Sequence, residues 1–177
     1  TIDSNFRYQV YPATKTAVVT GLASNATELA IPETITISGD TYAVKKIEAS
    51  SFNDVNITSV EIPASITSIG DYAFYGCTSL RQINIPSTVK HIGVEAFTGT
   101  PFLGEFEING DEMMLISFNA DTCPNGIYTC TDTENKKIFL GDLLYTAQDT
   151  LPDLENVYLL ADNAFYGSDI ETINLPE

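Results

Sequence analysis

The chain has one histidine, His91, so any serine or cysteine nucleophile needing an imidazole base must reach that ring. The chemistry at stake is acyl transfer by a Ser-His-Asp or Cys-His set. No serine stands in the G-x-S-x-G elbow that would expose its hydroxyl. His91 lies in VKHIG beside an apolar position, which places it at the surface. Cys77 falls inside a repeated segment and reads as a small buried residue. Cys123 and Cys130, in NADTCPNGIYTC, are spaced for a local disulfide if the compartment is oxidising. A zinc site is disfavoured, because the short C-x-x-C step is missing and His91 lies in another repeat. The densest acidic groups, GDE at 110–112 and TDTEN at 131–135, do not match the calcium-loop spacing and read as solvated turns. No two carboxylates sit in a setting that would split their pKa values, and no glycine-rich loop cradles a phosphate. These residues point to no catalytic set, no cofactor and no metal.

Charge narrows the partners. Eight Lys+Arg stand against 24 Asp+Glu in 177 residues, a formal charge of −16. Such a surface is repelled by nucleic-acid phosphates and by anionic membranes. It keeps an elongated protein soluble, and it attracts basic patches or Ca²⁺. No apolar run reaches the 18 residues of a membrane-spanning helix, and no basic, apolar-cored leader opens the chain. Thr1 at the start suggests a processed or trimmed product. Asn25-Ala26-Thr27 and Asn56-Ile57-Thr58 match a glycosylation triplet, relevant only in a eukaryotic secretory pathway.

The elements that must position any site come from a repeat. VEIPASITSIGDYAFYGCTSL at 60–80 returns as INIPSTVKHIGVEAFTGTPFL at 83–103. Ile62-Pro63 and Ile85-Pro86 are 23 apart, as are Ile69-Gly70 and Ile92-Gly93, and Ala73-Phe74 and Ala96-Phe97. A period in the twenties marks a wound chain whose turns bury a shared core. Alternation at Val60-Glu61-Ile62 predicts a half-buried strand that Pro63 ends. Ile66 and Ile69 point inward, Gly70 and Gly93 allow a tight bend, and DYAFYG and VEAFTG read as short helical or 3₁₀ turns. Phe52, Phe74, Phe97 and Phe165 are expected to stack.

The rest is arranged around this array. Residues 1–46 read as a β-rich N-terminal cap, with RYQVYP and TAVVTG as strands and a hairpin turning on Gly39-Asp40 in type II′ form. Ile31-Pro32 is an early form of the repeat's pair. Residues 47–108 are the repeats, 109–153 an irregular stretch occupying about two turns with a bulging loop, and 154–177 the repeats resumed, all in one continuous domain. The last turn, ending at Glu177, is expected to be covered by pairing or by further sequence.

The string IPASITSIGDYAFYGCTSL resembles the repeat of BspA-like leucine-rich repeat proteins, over roughly 7–108 and 154–177. The resemblance implies a leucine-rich-repeat solenoid, secreted or anchored at a cell surface, most often bacterial. It also implies adhesion to a protein or glycan on another cell or matrix, and it carries over no catalytic residue. The outward strand positions supply the candidate face: Glu61, Asn84, Glu107 and Asn174 in one column, with Ser59, Gln82, Glu105 and Thr172 beside them. Equivalent positions on stacked turns stand about 4.7–4.9 Å apart, giving one polar sheet. Tyr11, Tyr75, Tyr128 and Tyr158 are candidate aromatic anchors. The leading expectation is a non-enzymatic recognition module. The alternatives are a rigid spacer in a larger surface protein and a carbohydrate-binding module.

Overall fold

The computed structural model describes residues 4–109, 112–118, 129–131, 133–134, 137–139 and 157–164. Within them the chain forms strands and turns, and no helix. β1 (Phe6–Tyr11) and β2 (Thr16–Leu22) pair antiparallel across the ATKT turn. β3 (Glu28–Ala30) follows, then β4 (Thr34–Ile37) and β5 (Asp40–Ile47), a second antiparallel hairpin. Its two-residue loop is Ser38-Gly39, not the expected Gly39-Asp40. Both loop residues take positive φ, 52° and 90°, as a type I′ turn requires. Asp40 is thereby drawn into β5, where its carboxylate meets Lys15 at 2.7 Å.

From β5 onward the strands are short and parallel. β6 (Ser59–Glu61), β7 (Ser68–Ile69), β8 (Gln82–Ile83) and β9 (His91–Ile92) alternate between two sheets. One sheet runs β1-β2-β5-β7-β9 with β4 on β5; the other runs β3-β6-β8. Ser68 pairs with His91 and Ser59 with Gln82, so the register advances by the 23-residue sequence period. One turn cannot bury its own apolar edge, and stacking does so. Ile47, Ile62, Ile66, Ile69, Ile85 and Ile92 are all buried. Phe52 and Phe74 lie 5.2 Å apart and Phe74 and Phe97 5.6 Å, each pair nearly parallel. Phe6 closes this column edge-on at one end and Phe102 tilts against it at the other. Phe165 lies outside the described residues.

The segments expected as helical turns are chains of tight turns instead. Tyr72 (φ 54°) and Gly76 (φ 68°) bracket the first, and Glu95 (φ 48°) and Gly99 (φ 78°) the second. A left-handed residue every four positions stops a right-handed helix from propagating. Gly70 is needed for space more than for a bend: a Cβ there would stand 2.5 Å from the Ala49 nitrogen of the preceding turn.

β10 (Gly104–Asn109) departs from the array and pairs antiparallel with β11 (Glu112–Phe118). β12 (Thr129–Thr131) pairs antiparallel with β13 (Lys137–Phe139), which runs parallel to β14 (Val157–Leu160). The Asp162 N–H donates to the Ile92 carbonyl at 2.8 Å, as the Gly93 N–H does to Ile69 and the Gly70 N–H to Ile47, each at 2.9 Å. At this corner, then, the returning chain lies directly on the 91–97 turn. The two turns expected from residue counting would fall in 109–153, most of which lies outside the described residues.

Candidate binding face

The outer face of the β3-β6-β8 sheet forms an open groove of about 690 Å³. The parallel register sets its floor: Glu28, Ser59 and Gln82 fall in one row, Ala30 and Glu61 in the next. Leu29 and Val60, between them, point into the core. Glu28, Glu61, Arg81 and Gln82 are exposed and Ser59 half-buried. The groove therefore offers carboxylates, an amide, a hydroxyl and one guanidinium over a rigid backbone. Such a set can exchange hydrogen bonds and charge with a partner.

Of the residues expected here, Ser59, Glu61, Gln82 and Asn84 come together. Asn84 is not a free outward amide. Its Nδ2 donates to the Ile62 carbonyl and its Oδ1 accepts from the Ile62 N–H, both at 2.8 Å, so its side chain completes the ladder as a strand would. Glu105 and Glu107 do not extend the face. They lie on β10, where Glu105 pairs with Ser117 and Glu107 with Met114, because β10 leaves the array to form its own hairpin. Thr172 and Asn174 fall outside the described residues. Glu28, Ala30 and Arg81 belong to the groove and were missed. For Glu28 and Ala30 the signal was the early Ile31-Pro32 pair, which puts them in phase with Ser59 and Glu61.

His91 is exposed but partnered. Its Nδ1 is 3.2 Å from the Ser68 hydroxyl and its Nε2 2.8 Å from an Asp162 carboxylate oxygen. The composition is that of a triad, but the setting is wet: the imidazole and the carboxylate are each 47% exposed. An ion pair so placed is worth about 1 kcal/mol or less. A nucleophilic set needs a dry pocket with donors for an oxyanion. The groove lies on the other sheet. Cys77 is buried and free, its thiol donating to the Phe52 carbonyl at 2.9 Å. Burial pushes that thiol up to about 12. The expected Cys123–Cys130 bond involves Cys123, outside the described residues. Among those residues no three His, Cys, Asp or Glu side chains converge as a metal site would require. Nor is any helix long and apolar enough to cross a membrane.

The model of the BspA-type leucine-rich repeat region matches residues 45–137 in six copies. The chain belongs to the BspA-type leucine-rich repeat family. No curated protein matches it. Several solved structures are similar, two of them as follows. A leucine-rich repeat protein from Bacteroides ovatus ATCC 8483 is 31% identical, with a TM-score of 0.52, over 56% of this chain and 27% of that one. A leucine-rich cell surface protein from Faecalibacterium prausnitzii A2-165 is 26% identical, with a TM-score of 0.57, over 99% of this chain and 48% of that one. The chain thus spans between about a quarter and a half of these proteins.

Proposed function

We propose that this leucine-rich repeat chain is a non-enzymatic recognition module of a bacterial cell-surface protein, and that the β3-β6-β8 face seats a protein partner. The observation that carries this reading is the groove itself, whose rigid parallel floor holds Glu28, Ser59, Glu61, Gln82 and Arg81. Its carboxylates favour a partner with basic groups, since complementary charge sets association rate and register. The relative named as a cell surface protein supports the location. In this reading the stacked turns form one solenoid. Residues 1–46 are its N-terminal cap, 109–153 an insertion, and 154–177 the resumed array, with Thr172 and Asn174 prolonging the polar rows.

The test is solid-phase binding of the chain to a panel of purified extracellular-matrix proteins. Reversing charge with Glu28→Lys and Glu61→Lys together should weaken a saturable interaction at least about tenfold, the scale of losing a close charge pair. The melting temperature should stay unchanged. Equal binding by the double variant removes the groove from consideration. Binding to neutral glycans on an array, lost in the same variant, would make the chain a carbohydrate-binding module.

A further inference from the structure

A second surface lies on the turns and shares no residue with the groove. Backbone hydrogen bonds hold three turns in register there: Asp54 to Tyr75 at 2.8 Å, Tyr72 to Val94 at 2.8 Å, and Gly76 to Thr98 at 2.9 Å. The Ser50, Tyr72 and Glu95 positions are equivalent, all with positive φ, at 54°, 54° and 48°. Serine and glutamate bear that conformation on the neighbouring turns; on the middle turn it is borne by a tyrosine, a bulky side chain for which it is an outlier. The ring it carries is 38% exposed, one of two large hydrophobic side chains so exposed among the described residues. Tyr75 meets it edge-on, with centroids 5.8 Å apart.

Isolated exposed tyrosines need no explanation. This one is not isolated. Burial raises the Tyr75 hydroxyl above its ordinary pKa, and the charges of Glu95 and then Asp54 raise it further, so a carboxylate from each neighbouring turn lies within electrostatic reach of that hydroxyl. Neither carboxylate has an ion pair among the described residues, where the pairs are Lys15–Asp40, Lys46–Glu48 and His91–Asp162. An aromatic ring attracts a cation through its face, and flanking carboxylates add to that attraction. We propose that Tyr72, Tyr75, Asp54 and Glu95 form a docking site for the lysine or arginine side chains of a basic polypeptide. The cation sits against the Tyr72 ring with a carboxylate on the turn to either side. The chain's net charge of −16 draws such a segment in, and the tyrosine pair gives it a seat.

The test uses a fluorescent octa-arginine peptide, its octa-citrulline counterpart and maltohexaose, titrated against the whole chain at about 0.1 M salt. Octa-arginine binds and octa-citrulline does not. Tyr72→Ala weakens binding about two- to fivefold, the worth of an exposed cation–π contact, while Tyr72→Phe retains it. Asp54→Asn with Glu95→Gln weakens it more than Glu28→Gln with Glu61→Gln, which removes the same charge from the other face. Tyr72→Gly suits the left-handed backbone, keeps the melting temperature within a few degrees and still loses affinity, which separates docking from folding. Unchanged binding by Tyr72→Ala overturns the proposal. So does an equal loss in the two charge variants, which would mean bulk attraction. Maltohexaose binding that Tyr72→Ala abolishes would assign the surface to a glycan and overturn it too.

Discussion

Phe74 lies between two nearly parallel rings, Phe52 on one side and Phe97 on the other. Deleting it opens a hole that neither neighbour can fill without leaving its own partner. Phe74→Ala should cost about 3–5 kcal/mol, the usual range for emptying a core aromatic site. A urea midpoint unchanged from the parent would contradict the stacked column. Cys77 sits beside that column with its thiol held at about 12, so almost no thiolate forms at neutral pH. Mass mapping after iodoacetamide treatment at pH 8 should find Cys77 unmodified in native protein and alkylated in urea. Glu95 shows the cost of the turn surface. Burial raises its carboxyl above the ordinary value, so the native state binds this proton more tightly than the unfolded chain does. Its contribution is favourable at pH below the unfolded value and is lost as pH rises through the folded one. Glu95→Gln should therefore be more stable than the parent at pH 7, with the advantage fading toward pH 4. A difference independent of pH would show that the charge is not what the site penalises.

At the scale of the element, the end of the β3-β6-β8 sheet depends on a side chain. Asn84 gives both a donor and an acceptor to Ile62, in place of a strand. Asn84→Asp keeps the acceptor and loses the donor, setting a carboxylate oxygen against the Ile62 carbonyl. The expected loss is about 1–3 kcal/mol, that of leaving a buried polar group unpaired. Faster amide exchange at Ile62 in Asn84→Ala, which cannot accept, localises the effect. Asn84 also marks how far these elements were legible. The apolar spacing of Ile62, Ile69 and Phe74 against Ile85, Ile92 and Phe97 foretold the stacking, because each position must bury against its equivalent one period away. A polar residue in an outward position carries no such constraint. Nothing in Ile83-Asn84-Ile85 tells a solvated amide from one folded back on the ladder. The turns misled for a related reason: segments as short as DYAFYG and VEAFTG suit a single helical or 3₁₀ turn as well as a chain of tight turns, and only the left-handed backbone at Tyr72 and Glu95 rules the helical form out. The His91–Asp162 contact was illegible because it joins residues on either side of a long departure from the repeat.

At the scale of the molecule, the repeat explains the shape, and the charge explains how that shape meets solvent and partners. The returning segment at 157–164 locks onto the 91–97 turn through a backbone bond from Asp162 and a side-chain bond to His91. Folding thus gathers acids from distant parts of the chain onto shared surfaces: Glu28 beside Glu61 on one face, Asp54 and Glu95 around Tyr75 on another. With a formal charge of −16, the native state holds like charges closer together than the unfolded chain does. Salt acts on two opposed terms. Among the described residues it weakens the two lysine–carboxylate pairs, Lys15–Asp40 and Lys46–Glu48, both at the surface. It also screens the repulsion summed over the whole surface, since the Debye length falls from about 30 Å at 0.01 M to under 10 Å at 0.3 M. The repulsion involves many more pairs, so screening it wins. The urea midpoint should rise between 0.01 M and 0.3 M sodium chloride at pH 7. The rise should shrink near pH 4, where the carboxylates are partly protonated and there is less repulsion to screen. A midpoint that falls with salt at pH 7 would mean that the few ion pairs outweigh the crowded acids, and the electrostatic case for basic partners on either face would fall with it.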